Sequence, residues 1–147
     1  MGRWDGPYFS GAIPDLSYSD YVAKAIGSPP SPNMQIIDIG GLARGMVTRS
    51  WEDPREGGWL ELGIVIYDPA FWSGGHGTRA LRLWTEQCFA ETGAHVVTLT
   101  TWSGNARMVS AARKVGYREC ARVREARLWQ GARYDSVKLD LLRSEYR

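Results

Sequence analysis

The eighteen residues Ile64–Leu81, IVIYDPAFWSGGHGTRAL, decide the fold. They close an apolar, β-branched run, Trp59–Tyr67 (WLELGIVIY), which reads as a central strand ended by Asp68-Pro69. A glycine-rich loop follows, Ser73-Gly74-Gly75-His76-Gly77. A helix is then expected from Thr78 to about Glu91, with Leu81, Trp84 and Cys88 on one face at i, i+3 and i+7 and Gly93 just past its end. Glycines let backbone N–H groups crowd toward one point, and a helix start adds unpaired N–H groups and a partial positive charge. Strand, glycine loop and helix together make an anion site suited to phosphate; the competing reading is a plain glycine-rich turn.

Working outward, Gln35–Ile39 and Leu42–Trp51 read as two strands around the Gly40-Gly41 turn, and Glu52–Gly58 as a hairpin loop. On the other side, His95–Thr100 (HVVTLT) reads as a buried strand. Ser103-Gly104-Asn105 opens a second helix whose apolar face is Met108, Ala111, Ala112 and Val115, stopped by Gly116. Glu119–Glu125 and Tyr134–Leu141 read as two further strands joined through Gln130-Gly131. Residues 1–33 differ in kind: rich in Gly, Pro, Ser and Tyr, with one short helix expected over about 19–26. They are expected to pack Trp4, Tyr8 and Phe9 onto the core as a cover, or to act as a flap on the acceptor side of a cleft. Residues 34–147 form the expected core of a single domain spanning 1–147.

Composition narrows the function. With 44% hydrophobic and 23% charged residues the chain is expected to fold as one globular unit. Its net charge of +2 gives no electrostatic case for nucleic acid. Cys88 and Cys120 have no CxxC partner, and His76 and His95 have no ligand spacing, so no metal site is expected. No stretch reaches the roughly 20 apolar residues of a membrane span. A cytoplasmic protein with reduced thiols, neither membrane- nor nucleic-acid-bound, is the expectation.

The loop also discriminates among phosphate ligands. Gly77 is followed by Thr78-Arg79, not Lys-Ser/Thr, which disfavours a nucleotide-hydrolysing loop. Gly75-His76-Gly77-Thr78-Arg79-Ala80 fits the dinucleotide pattern, but no Asp or Glu occurs between Glu91 and Glu119, where that pattern needs one. No G-x-S-x-G occurs, which disfavours a serine hydrolase.

The run IVIYDPAFWSGGHGTRAL resembles the acetyl-coenzyme A signature Q/R-x-x-G-x-G/A of the GNAT superfamily of N-acetyltransferases, with Trp72 at its first position. Asn105-Ala106-Arg107 and Arg113-Lys114-Val115-Gly116-Tyr117 are similar to the family's second block, and the ending Asp135-Ser136-Val137 through Leu142, then Glu145-Tyr146, looks like the branch of the ribosomal-protein N-terminal acetyltransferases. The resemblance covers residues 34–147. It implies a mixed α/β (α+β) fold: a mostly antiparallel sheet with one splayed parallel strand pair and helices on both faces. It also implies acetyl-coenzyme A as co-substrate. The pantetheine arm would lie on the edge at Ile64, Val65 and Ile66, the pyrophosphate on Trp72, Ser73, Gly74, Gly75, His76, Gly77 and Thr78, and Asn105 would reach the arm. Read without the family, Asn105 is a helix N-cap. Against the family's pattern, the usual first strand and much of the first helix are expected to be missing and a sheet edge to lie uncovered, so a homodimer or higher oligomer is expected, the alternative being that residues 1–33 fold back over the edge.

The implied reaction is direct attack of a primary amine on the thioester. The amine belongs to a peptide or a small molecule, and it must be neutral. A Lys-like amine of pKa ~10.4 costs roughly 4.6 kcal/mol to deprotonate at pH 7, an α-amino group only about 1. Glu61 is the candidate base: alternation places Glu61, Gly63 and Val65 on one strand face and Leu60, Leu62 and Ile64 on the other. Its competing reading is a strand carboxylate in an ion pair. An N–H of Ile64 or Val65 is the candidate oxyanion donor. The Tyr that many members use as acid is replaced by Ala112, and the Ser of others by Met108, so no acid is assigned; Ser110 and Tyr117 are poor substitutes. The alternative to an enzyme is a non-catalytic acetyl-coenzyme A-binding module. Acceptor choice is expected to rest with residues 1–33 and the loop near Gln130–Arg133.

Overall fold

A computed structural model of the chain describes Gly27 and residues 31–147. The helix expected over 19–26 and the aromatic anchors Trp4, Tyr8 and Phe9 lie outside the described residues. Six strands form one sheet: β1 (Met34–Ile39), β2 (Leu42–Trp51), β3 (Trp59–Ile66), β4 (Val96–Trp102), β5 (Arg118–Trp129) and β6 (Ala132–Leu142), in the order β1-β2-β3-β4-β6-β5. Only β3 and β4 pair in parallel; every other neighbouring pair is antiparallel. Two helices are described, α1 (His76–Glu91) between β3 and β4, and α2 (Ala106–Val115) between β4 and β5.

Alternation sorts the central strands into two faces. Leu60 and Leu62 of β3, Val97 and Leu99 of β4, and Val137, Leu139 and Leu141 of β6 are buried in one core with Leu81, Trp84, Cys88 and Phe89 of α1 and Ala112 of α2. The helices touch each other and share this core, so both described helices lie on one face. Leu60, Leu62, Val97 and Leu99 give the sheet one continuous apolar face that both cover. On the other face the same strands carry Glu61, Thr98, Thr100 and Lys138.

The elements stop where their residues stop them. The Thr92 hydroxyl bonds the Cys88 carbonyl at 2.6 Å and closes α1, with Gly93 just beyond. Gly116 ends α2 at φ +118, a left-handed conformation that costs a glycine little, and its N–H bonds back to the carbonyls of Ala112 and Arg113. The Trp84 indole donates to the Thr48 carbonyl at 2.9 Å, so this buried ring pins α1 to β2 without an unpaired N–H. Both β4 and β5 run further than the sequence reading of His95–Thr100 and Glu119–Glu125. β4 keeps β6 as its partner as far as Trp102, and β5 continues past two register shifts to the Gln130-Gly131 turn.

Candidate active site

The site begins where β3 and β4 part. Their pairing runs from Trp59↔Val96 to Leu62↔Leu99 and goes no further. Beyond it β3 stays on β2, through Gly63↔Thr48 to Ile66↔Gly45, while β4 stays on β6, through Thr100↔Lys138 to Trp102↔Ser136. Each arm is held by its outer neighbour, so the V-shaped gap between them is built into the sheet.

The hydrogen-bond phase shows which backbone groups face the gap. Glu52 N donates to Trp59 O and Tyr67 N to Arg44 O, so the odd-numbered residues of β3 bond toward β2. Even-numbered residues point toward β4, as Gly58 O does in accepting from His95 and Val96. Ile64 and Ile66 therefore turn their N–H and C=O groups into the gap. Val65 turns its own to Met46, its partner in β2. The three-residue edge expected from sequence is thus a two-residue edge, and Ile64, not Val65, is the oxyanion donor candidate. Val65 offers the gap's surroundings only an exposed side chain.

The glycine loop sits at the open end of this edge. The Trp72 indole donates to Ile66 O at 2.7 Å and ties the loop to β3. Gly74 at φ +91 and Gly75 at φ +84 are successive left-handed residues, a turn that a side chain would strain, and they swing the chain directly into α1. The helix starts at His76, two residues before the expected Thr78. Its N-cap is Gly75, which has no side chain to bond the first turn, and the first internal bond is Arg79 N to Gly75 O at 3.0 Å. The N–H groups of His76, Gly77 and Thr78 are left facing outward along the helix axis. His76 is therefore the first helical residue instead of a loop residue, with its ring edge-on to Phe71 at 5.6 Å. Ser73 is exposed in the turn. Arg107, from the first turn of α2, lies 5.5 Å from the Trp72 ring and adds positive charge beside the loop.

Asn105 opens α2 and behaves differently. Its side-chain oxygen accepts from Met108 N at 3.2 Å, the cap that residue-level reading foresaw. That leaves its NH2 as the group able to turn toward a ligand. Ala112 is fully buried in the core. Tyr117 is buried with its hydroxyl on Thr85 at 2.7 Å, and burial pushes its phenol far above the usual range. It stands too deep and too weakly acidic to protonate anything in the gap. Ser110 is exposed on α2, lining a groove with Ser103, Arg113 and Arg122 toward β5 and β6.

Glu61 lies just behind the split, on the face away from the helices. Its Oε2 accepts from the Thr98 hydroxyl and from Lys138 Nζ at 3.1 Å, and its Oε1 accepts from the Thr100 hydroxyl at 2.6 Å. Thr98 in turn accepts from the Trp59 indole N–H at 2.7 Å, and Lys138 Nζ stands 5.1 Å from the centre of that same ring. The sequence reading found the carboxylate and missed its partners. The i, i+2 threonines in VVTLT were the available sign, but the Lys138 contact needs the β4–β6 register. Among the described residues, no group of three His, Cys, Asp or Glu side chains is placed to hold a metal, and no helix is long and apolar enough to cross a membrane.

The arrangement has two parts, a gap with unpaired backbone leading to an uncapped helix start, and a carboxylate cluster at the closed end of that gap. Comparison with known proteins fits this geometry. The model of the acetyltransferase (GNAT) domain matches residues 22–118. Among solved structures, the ribosomal-protein-alanine N-acetyltransferase of Brucella melitensis is 22% identical with a TM-score of 0.64, over 74% of this chain and 67% of that one. Mycobacterium smegmatis RimJ, solved with CoA-disulfide, is 21% identical with a TM-score of 0.63, over 77% and 55%. Salmonella typhimurium yncA, solved with acetyl-CoA, is 19% identical with a TM-score of 0.63, over 71% and 61%. The chain thus spans less than two thirds of the length of the last two. No curated protein matches. With its family model covering most of the described core and its fold shared with these structures, this chain belongs to the GNAT acetyltransferases.

Proposed function

We propose that the protein transfers an acetyl group from acetyl-coenzyme A to a primary amine of a peptide or small molecule. The observation that carries this reading is the edge facing the gap at Ile64 and at the Ile66 N–H, leading straight to the start of α1, which has no side-chain cap. An amide-bearing pantetheine arm pairs with such an edge as an added strand would. The pyrophosphate then meets the N–H groups of His76, Gly77 and Thr78, whose free donors and helix dipole suit an anion. The yncA structure with acetyl-CoA and the RimJ structure with CoA-disulfide support a coenzyme in this role.

In this reading the amine nitrogen attacks the thioester carbonyl, and the carbonyl oxygen gains charge that the Ile64 N–H stabilises. The C–S bond breaks, the amide forms, and the thiolate takes a proton from water. Glu61 receives the proton the amine loses. Its carboxylate has about four acceptor sites, three of which Thr98, Thr100 and Lys138 fill, and the fourth is on Oε1. Gly63, on the same face of β3 as Glu61, admits no side chain, since a Cβ there would collide with the Thr48 hydroxyl.

The test is release of coenzyme A thiol from acetyl-coenzyme A with a panel of amines: peptides with free N-termini, polyamines and simple alkylamines. Turnover with at least one class is expected. Tight coenzyme binding without turnover on any amine would favour the non-catalytic module instead. No binding at all would remove the proposal.

A further inference from the structure

The cluster around Glu61 has the composition of a receptor for an ammonium ion, and its present occupant belongs to the chain itself. Three kinds of group converge on Lys138 Nζ: the Glu61 carboxylate at 3.1 Å, the face of Trp59 at 5.1 Å, and the two threonines that orient them. Trp59 is not free to turn away, because its indole N–H is committed to Thr98 at 2.7 Å, and Thr98 and Thr100 both donate to Glu61. The aromatic face, the carboxylate and the hydroxyl dipoles are thereby aimed at one point. An aromatic ring and a carboxylate at right distances from one another attract an ammonium by charge and by the ring quadrupole together.

The occupant is not fully buried. Lys138 comes from β6, reaches across β4 and is 29% exposed at its side chain, against 20% for Glu61. Holding the long, flexible Lys stem in one geometry costs side-chain entropy. An outside ammonium can make the same contacts with the ring and carboxylate, and the displaced Lys138 regains water. The place it vacates lies beside Glu61, one pair behind the last bonded pair of the split, Leu62↔Leu99.

We infer that Trp59, Glu61, Thr98 and Thr100 form the acceptor's ammonium subsite, and that Lys138 is an internal competitor that fills it until a primary ammonium arrives. The inference rests on the proposed acetyl transfer and specifies its acceptor: an amine that docks protonated, against an aromatic face, before Glu61 takes its proton. Lys138 is then a specificity-determining residue, since only cations strong enough to displace it gain the site.

Binding of n-butylammonium chloride to the full chain, without coenzyme, tests this. The readout is the Trp59 indole N–H signal in a nitrogen-15 correlation spectrum. The wild-type signal should shift saturably with n-butylammonium and not with 1-butanol, which has the same chain and no charge. Lys138→Met removes the competitor and should tighten binding by roughly fivefold, the scale of one cation–π contact. Trp59→Leu, followed through the Thr98 amide, should abolish the preference for the cation. Butylammonium affinity unchanged or weakened in folded Lys138→Met would overturn the inference, and so would equal shifts with 1-butanol. If Lys138→Met fails to fold, Lys138→Gln carries the same expectation. Since no acetyl-coenzyme A is present, a failure here leaves the coenzyme reading standing. In turnover assays the competitor role further requires Lys138→Met to lower the amine KM. A loss of kcat at constant KM would mark Lys138 as a residue that positions Glu61.

Discussion

The two described helices start in opposite ways, and the proposed coenzyme site rests on that difference. At the start of α2 a side chain does the capping: Asn105 accepts from Met108 N at 3.2 Å, and the helix end supplies its own acceptor. At the start of α1 the cap is Gly75, which has no side chain, and three N–H groups face outward beside the mouth of the β3–β4 gap. A helix end with no side-chain acceptor is a cost to the fold that a bound anion removes. One helix start is thus closed by its own side chain, and the other is left open for the anion the proposed function places there. The contrast also bears on the glycines, since a side chain at position 75 would have to adopt φ +84.

The largest expected effect separates binding at α1 from chemistry at the closed end of the gap. Glu61→Gln should lower kcat ~10²-fold while leaving acetyl-coenzyme A affinity unchanged, the usual scale for an acid–base group. Steady-state rates at neutral pH and near the pKa of the amine check it. The deficit should shrink at the higher pH, where the amine needs no base.

A smaller effect is expected at the open helix start itself. Gly77→Val should weaken acetyl-coenzyme A binding by about tenfold or more, because its branch enters the space over the exposed N–H groups. The fold should survive, since a Cβ at Gly77 meets only Ile66 Cδ1 at 3.8 Å. Calorimetric titration of the folded variant reads this directly. Unchanged affinity would place the pyrophosphate elsewhere.

The self-capped start should respond in stability first. Asn105→Ala should cost about 1 kcal/mol in urea unfolding, the ordinary worth of an N-cap. Asn105→Asp keeps an acceptor for Met108 N but loses the NH2. Stability near wild type with weakened coenzyme binding would show that the NH2 reaches the pantetheine arm. Both properties unchanged would leave Asn105 as a cap alone.

The same contrast shows what the sequence could and could not disclose. The strand, loop and helix around Ile64–Leu81 were legible because glycine spacing and apolar periodicity are local signals, and the splayed pair followed from the family resemblance. The helix start was misplaced by two residues because His76 and Gly77 carry no capping signature of their own. Val65 is on the edge only in what the family resemblance implies; side-chain alternation is readable from sequence, whereas the alternation of backbone groups depends on which neighbour takes which hydrogen bond. Trp59, Thr98, Thr100 and Lys138 escaped notice for a similar reason. They come from three strands, and only the registers Glu61↔Thr98 and Thr100↔Lys138 bring them together.

The most direct measurement is the change in backbone amide shifts when acetyl-coenzyme A is added to the nitrogen-15-labelled chain. The account predicts the largest changes at Ile64, Ile66, His76, Gly77 and Thr78, with the capped start of α2 at Met108 moving less. Shifts confined to the groove between α2 and β5–β6, with the α1 start and the Ile64 and Ile66 amides unmoved, would contradict it.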